Sequence, residues 1–291
     1  MSSTEVTLPG GVVVDGSRHR TAHLRPLSGQ DEAILLEEAQ SLPPASLVTS
    51  LLFRCLDGLG PLRPVTRQSV RELTLGDREA LLLNLRRLTL GDRMSCVLTC
   101  PNQACGEKMD LDLNVSDLLV QPYQYEETQH ETVVLLKGKG RYRICFRLPN
   151  GADQEAAALL ARESPKAAVN AILQRCIAGM STENGRTRPL KAIPATVAAA
   201  LSQVMADLDP QAEILLNLTC PSCGAAFVLP FDAGDYFCQE ILGRKSDLYR
   251  EVHLLAFYYH WSEAEILDMA VQKRRLYLDL IAEAVSARRG G

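Results

Sequence analysis

Two short cysteine passages repeat each other across the chain: Leu98-Thr99-Cys100-Pro101 with Cys105-Gly106, and Leu218-Thr219-Cys220-Pro221 with Cys223-Gly224. Each cysteine pair closes a loop between two runs of alternating apolar residues, a pattern that reads as strand, knuckle, strand. One knuckle supplies two thiolates, whereas a structural zinc takes four in a tetrahedron. The repetition therefore predicts one composite site from Cys100, Cys105, Cys220 and Cys223, and a fold that must bring both passages to one place. A closed four-thiolate shell leaves no position for water, so the implied ion is a structural Zn2+ and not a catalytic one. Free cysteines in ordinary hairpin loops are the plain alternative. A thioredoxin-like redox pair is a poorer one, because such a pair opens a helix and these join strands.

The cysteine passages belong to a longer self-match. Leu24-Arg25-Pro26-Leu27-Ser28-Gly29 answers Phe146-Arg147-Leu148-Pro149-Asn150-Gly151, Arg54-Cys55-Leu56 answers Arg175-Cys176-Ile177, and Cys100 answers Cys220. The offset drifts only from 122 to 120 along the way, as small loop deletions would leave it. Each half is expected to begin with a hairpin, turning at Asp15-Gly16-Ser17 in the first and at Lys137-Gly138-Lys139-Gly140 in the second. A helix follows, opened by Ser28 with Asp31 and by Asn150 with Asp153, both N-cap signatures. A second helix is expected over 44–56 and 165–178, a loop rich in Gly, Pro, Arg and Thr over 57–69 and 179–190, and a third helix over 77–88 and 194–208. The cysteine-bearing strands then run over 94–99 and 108–114, and over 213–219 and 226–231. Cys55 and Cys176 fall at equivalent points of apolar helices and read as core; Cys96, Cys145 and Cys238 read likewise, with Cys96 near enough to a knuckle to stand in reserve.

After Phe237-Cys238 the pattern turns helical with no counterpart in the first half. One helix is expected through Phe257, Tyr258, Tyr259, His260 and Trp261, the chain's only tryptophan. Ser262, with Glu265 completing a capping box, opens a second that runs on through Leu278. Phe257, Tyr258, His260 and Trp261 form an aromatic cluster with little chain left to bury it, which marks it for partner docking. His253 and His260 lie seven apart on one helical face, but no third ligand is in view. The run Lys273-Arg274-Arg275 reads as a solvated basic face, or as one that pairs with an acidic partner.

A length of 291 residues with 46% hydrophobic content supports a real core. The formal charge of -4 gives no general attraction for nucleic acid or anionic lipid. No basic start followed by an apolar stretch, and no run of eighteen apolar residues, stands in the sequence, so a cytoplasmic protein with reduced thiols is expected. No phosphate-binding glycine loop, H-E-x-x-H or G-x-S-x-G occurs, and no acid and base pair assembles, so the chain is not expected to be an enzyme. The expected fold is α+β: an internally duplicated unit of hairpin, helices and cysteine-bearing β-hairpin with a composite zinc-ribbon-like site, plus a C-terminal helical hairpin. The expected domains are 1–122, 123–240 and 241–291. A zinc-ribbon nucleic-acid or transcription-associated binder is the rival reading, opposed by the acidic pI and by Asp110, Asp112 and Asp232 beside the knuckles.

Three passages carry a family resemblance: Leu24-Arg25-Pro26-Leu27-Ser28-Gly29-Gln30-Asp31-Glu32, then Leu75-Gly76-Asp77-Arg78-Glu79-Ala80-Leu81-Leu82, then Cys100-Pro101 with Cys105-Gly106. Together they resemble the baseplate proteins of T-even-like contractile phages, often described as baseplate hub assembly chaperones. The segment Glu251 to Ala256, Tyr259-His260-Trp261-Ser262 and Glu265-Ile266-Leu267 is similar to a short helical module that accompanies contractile injection systems and phage tail assembly chaperones. The resemblance implies a non-catalytic component or assembly factor that works at the baseplate, the hub or the tape-measure protein of a contractile tail, in the producing cell or in the assembled particle. The duplicated cysteine unit departs from the single copy associated with that family.

Overall fold

In the computed structural model the chain is described over residues 3–136, 140–182 and 193–289. The turn expected at Lys137-Gly138-Lys139 and most of the loop expected to end at residue 190 lie outside the described residues. Two series of elements run in the same order. The first is β1 (Thr4–Val14), β2 (Ser17–Leu24), α1 (Gly29–Glu38), α2 (Pro44–Cys55), β3 (Leu56–Leu59), α3 (Arg67–Glu72), α4 (Leu75–Leu90), β4 (Arg93–Thr99), β5 (Lys108–Asn114) and the single turn α5 (Val115–Leu118). The second is β6 (His130–Leu136), β7 (Gly140–Phe146), α6 (Gly151–Glu163), α7 (Pro165–Cys176), β8 (Ile177–Thr182), α8 (Ala195–Leu208), a 3-10 turn at Pro210–Ala212, β9 (Ile214–Thr219) and β10 (Ala226–Phe231). Four more helices follow: α9 (Ala233–Gly243), α10 (Lys245–Tyr259), α11 (Glu263–Leu267) and α12 (Val271–Arg289).

The helix starts explain why the two series look alike. Ser28 and Asn150 each accept an amide of the first turn, and Asp31 and Asp153 each return a bond to the cap amide. Arg25 and Arg147, at the ends of β2 and β7, reach the same two carboxylates at 2.6 Å. Burial works against the charged carboxyls, but the arginine and cap bonds outweigh it and hold both below the usual carboxylate range. The same two arginines donate their own amides to Cys55 and Cys176, at 3.0 Å in each case. That bond lays the chain leaving α2 and α7 along β2 and β7, so the first residues after each helix become the third strand of an antiparallel sheet. The expected loops thus begin as strands, and α3 occupies part of the first of them, capped by Thr66 against Ser69. Cys55 and Cys176 are buried in the cores beneath these sheets.

The largest core gathers Leu8, Leu24, Leu51, Leu52, Leu81 and Leu85, joined by Phe237 and Ile241 of α9, which follows the second series in the chain. Two smaller cores sit under the second sheet, around Ile144 and Val197 and around Phe146, Leu173 and Leu201. The series are joined at the start of α6. Gly151 donates to the Leu73 carbonyl at 3.1 Å, Asn150 bridges Thr74, and a Cβ on Gly151 would strike the buried guanidinium of Arg78. A second joint stands at the start of α1. Gly29 donates to the Met269 carbonyl at 3.1 Å, Ser28 bridges Ala270, and a Cβ on Gly29 would lie 2.9 Å from Arg274.

This second joint corrects two expectations. The helix expected to run unbroken from Ser262 is divided at residues 268–270, because the backbone there is engaged by α1. Arg274 is not on a solvated face: its side chain is fully buried, with Glu32 at 2.5 Å, Glu251 at 2.9 Å and the Met269 carbonyl at 2.8 Å.

Glu79 of α4 accepts the amide of Ala233 at the start of α9, at 2.9 Å. Burial, reinforced by the nearby Asp232, pushes its carboxyl up to about 8. An unfolded chain releases that proton near the ordinary value of 4.5, so between these pH values the folded state holds a proton the unfolded state lacks. Stability from this group is therefore lost as pH rises through the folded value. Thermal unfolding midpoints should fall between mildly acidic and mildly alkaline buffer, and Glu79→Gln, which keeps the acceptor for Ala233, should flatten that dependence.

Candidate metal centre

Each cysteine pair sits at the tip of an isolated two-stranded hairpin, β4 with β5 and β9 with β10. Register is regular throughout, Thr99 opposite Lys108 and Thr219 opposite Ala226 at the tips. Alternation then sorts the side chains. Cys96, Leu98, Met109 and Leu111 on one hairpin, and Leu216, Leu218, Phe227 and Leu229 on the other, take the more buried face of each pair. Arg93, Ser95, Asp110 and Asp112 stay on the wet face. Two-stranded hairpins are marginal by themselves in water. These two are rooted in the largest core, where Met94 is buried and Leu113, Ile214 and Phe231 pack against it.

The knuckles are shaped by backbone bonds. Cys100 donates to the Glu107 carbonyl and Cys220 to the Ala225 carbonyl, both at 2.9 Å, while Gly106 and Gly224 donate back to Asn102 and Cys220. Both glycines take a left-handed conformation, φ 58° and 72°. In the second knuckle the amides of Cys223 and Ser222 bond the Cys220 sulfur and hold its thiol down to about 7. Burial pushes the Cys100 thiol the other way, up to about 12.

Across the gap, Cys100 Sγ lies 3.8 Å from Cys223 Sγ, and Cys105 Sγ lies 3.9 Å from Cys220 Sγ. All four sulfurs lie within 4.8 Å of one another. These separations are far too long for S–S bonds. A tetrahedron of sulfurs around zinc, with Zn–S near 2.3 Å, has edges of roughly 3.8 Å. Donor chemistry and spacing therefore both fit a four-thiolate ion. Cys100 and Cys220 are buried, Cys105 is half-buried and Cys223 is exposed, so the centre has a covered side and an open side. Cys96 is outside the group, and no other set of three or more His, Cys, Asp or Glu gathers among the described residues.

The aromatic cluster has a divided fate. Trp261 stacks on Tyr259 at 4.6 Å and meets the edge of Tyr277 at 4.8 Å, so it belongs to a small core with Leu255, Ile266 and Ile281. Phe257 is 67% exposed and Tyr258 42% exposed, and His260 ends α10 in a left-handed conformation on the surface.

Gly224 has open space where a Cβ would sit, so its requirement is conformational alone. Gly224→Ala should lower stability by about 1–2 kcal/mol in denaturant unfolding. Gly243→Ala, at a glycine that is equally open and without a left-handed φ, should leave it unchanged or slightly raised.

The family model described as "T4 bacteriophage base plate protein" matches residues 1–237, from the first hairpin to the second turn of α9. No curated protein and no solved structure matches the chain. The match takes in both series of elements and both cysteine hairpins and leaves out α10, α11 and α12. With well over half of its length matched, the chain belongs to the T4 bacteriophage base plate protein family.

Proposed function

We propose that this chain is a non-enzymatic structural or assembly protein of a contractile tail-like injection system, acting at the baseplate, the hub or the tape-measure protein, and that a structural zinc clamps its two cysteine hairpins. The observation that carries the clamp is the meeting of four sulfurs at tetrahedral spacing, two from residues 100–105 and two from residues 220–223. Its place in a phage tail is supported by membership of the base plate family. The matched order of the two series supports an internal duplication, with domains 1–122, 123–240 and 241–291. The clamp then joins equivalent points of the two copies. The acidic wet face of β5 favours protein partners over phosphate. No helix among the described residues is long and apolar enough to cross a membrane. The protein is proposed to work in the cytoplasm of the producing cell or within the particle. Phe257, Tyr258 and His260 form the exposed part of the docking region, with Trp261 bracing it from inside.

Protein purified under reducing, chelator-free conditions should carry about one zinc per chain, as a single four-thiolate site requires. Cys223→Ser should remove it and lower the thermal midpoint, while Cys96→Ser should leave the zinc in place. Metal-free wild-type protein by elemental analysis would sink the clamp. Co-purification from the producing cell should recover a sheath, tube, baseplate or tape-measure protein, and recovery of none would count against the assembly role.

A further inference from the structure

The helices after residue 260 repeat the α3–α4 pair. Thr66 and Ser262 cap their helices with boxes closed by Ser69 and Glu265. Val70 and Ile266 are fully buried. The Leu73 and Met269 carbonyls accept the first glycine of a capped helix, Thr74 and Ala270 bridge the cap residue, and Arg78 and Arg274 lie buried against that glycine. Every pair is separated by the same 196 positions, from Thr66 and Ser262 to Arg78 and Arg274. The C-terminal segment therefore has a counterpart in the first half after all, and α12 stands where α4 stands.

The two long helices differ in what covers them. On α4 the face of Asp77, Ala80 and Asn84 is buried; β1 packs on this helix and meets the face where Gly10 and Gly11 donate to Asp77 at 2.8 and 3.2 Å, and the turn at Pro210–Ala212 packs on the same helix. The same face of α12 carries Lys273, Leu276 and Leu280, at i, i+3 and i+7. Lys273 is exposed, Leu276 is 59% exposed and Leu280 44% exposed, on the side of α12 away from buried Arg274 and Ile281. Tyr277, braced by Tyr259 and Trp261, forms its flank. Two leucines on an open helix face leave apolar surface in water unless something covers them.

We propose that the face of α12 carrying Lys273, Leu276 and Leu280 is the seat of a β-hairpin from a partner protein, one strand of which fills the place that β1 fills on α4. Where Asp77 takes two backbone amides, Lys273 presents a cation, so the hairpin sets an acidic residue at that point and an apolar side over the two leucines. The proposal rests on the docking reading above for the existence of a partner.

The test places a photo-crosslinking amino acid singly at positions 257, 276 and 280 of the full chain, co-produced with the sheath, tube, baseplate and tape-measure proteins of the producing cell. Cross-linked residues are located by mass spectrometry. Positions 276 and 280 should reach residues two apart in one partner segment, the periodicity of a strand. Adding Leu280→Lys to the chain probed at 276 should lose that product without shifting the thermal midpoint. Capture from 257 alone, or partner residues three and four apart, overturns the hairpin seat and leaves the docking reading standing. No cross-link from any position overturns both.

Discussion

A capped helix start pressed against a buried arginine is the joint on which the rest of this molecule depends. It occurs at Gly151 against Arg78 and at Gly29 against Arg274. In both places the glycine is required because the guanidinium occupies the space of its Cβ, and the cap box fixes the helix end so that the glycine amide points at one carbonyl. A buried arginine with several acceptors is specific as well as stabilising. Removing one partner leaves a charge in a dry site, which costs about 3–5 kcal/mol, so alternative dockings are heavily penalised. Glu32 and Glu251 around Arg274, and the Ala45 and Val70 carbonyls with Thr49 around Arg78, are those partners.

The joints set the position of the cysteine hairpins. With α6 fixed on the α3–α4 turn, the second series lies beside the first, and Asp209 at the end of α8 accepts from Gly76 at 3.0 Å and from Tyr123 at 2.5 Å. The turn at Pro210–Ala212 that follows α8 therefore packs on α4 before β9 begins, and α9 carries the chain back into the first core through Phe237 and Ile241. Both hairpins thus grow from one core, although 120 residues separate Cys100 from Cys220.

Local chemistry was legible in the sequence wherever it decided the structure. Ser28 with Asp31 and Asn150 with Asp153 are capping signals at a distance of three, and the cysteine strands alternate strictly, so caps and hairpins fall where the residues put them. Elements made by distant pairing were not. Nothing in Leu56-Asp57-Gly58-Leu59 marks a strand; it is one because β2 lies beside it, held by Arg25. Asp268-Met269-Ala270 contains good helix formers, and the break there is imposed by α1. Arg274 sits in a run of three cations that reads as surface, and only the approach of Glu32, 242 positions away, makes it core.

The rooted hairpins also bear on how a metal would act here. In a small zinc domain the ion must drive the folding of the peptide that binds it, so affinity and folding are one quantity. Here Met94, Leu113, Ile214 and Phe231 already anchor the hairpin bases, and the knuckle bonds from Gly106 and Gly224 set the loop shape. The entropy of gathering four thiols is then met by the core, which leaves the ion's binding energy for the tips themselves. Beyond the roots, half-covered Leu98 and Leu111 of one hairpin and buried Leu216 with half-covered Leu229 of the other line an open seam. A bond at the far end of such a seam resists the one motion the core cannot, the splaying of the tips. The proposed ion is therefore a clamp on the separation of the two series and not the seed of either.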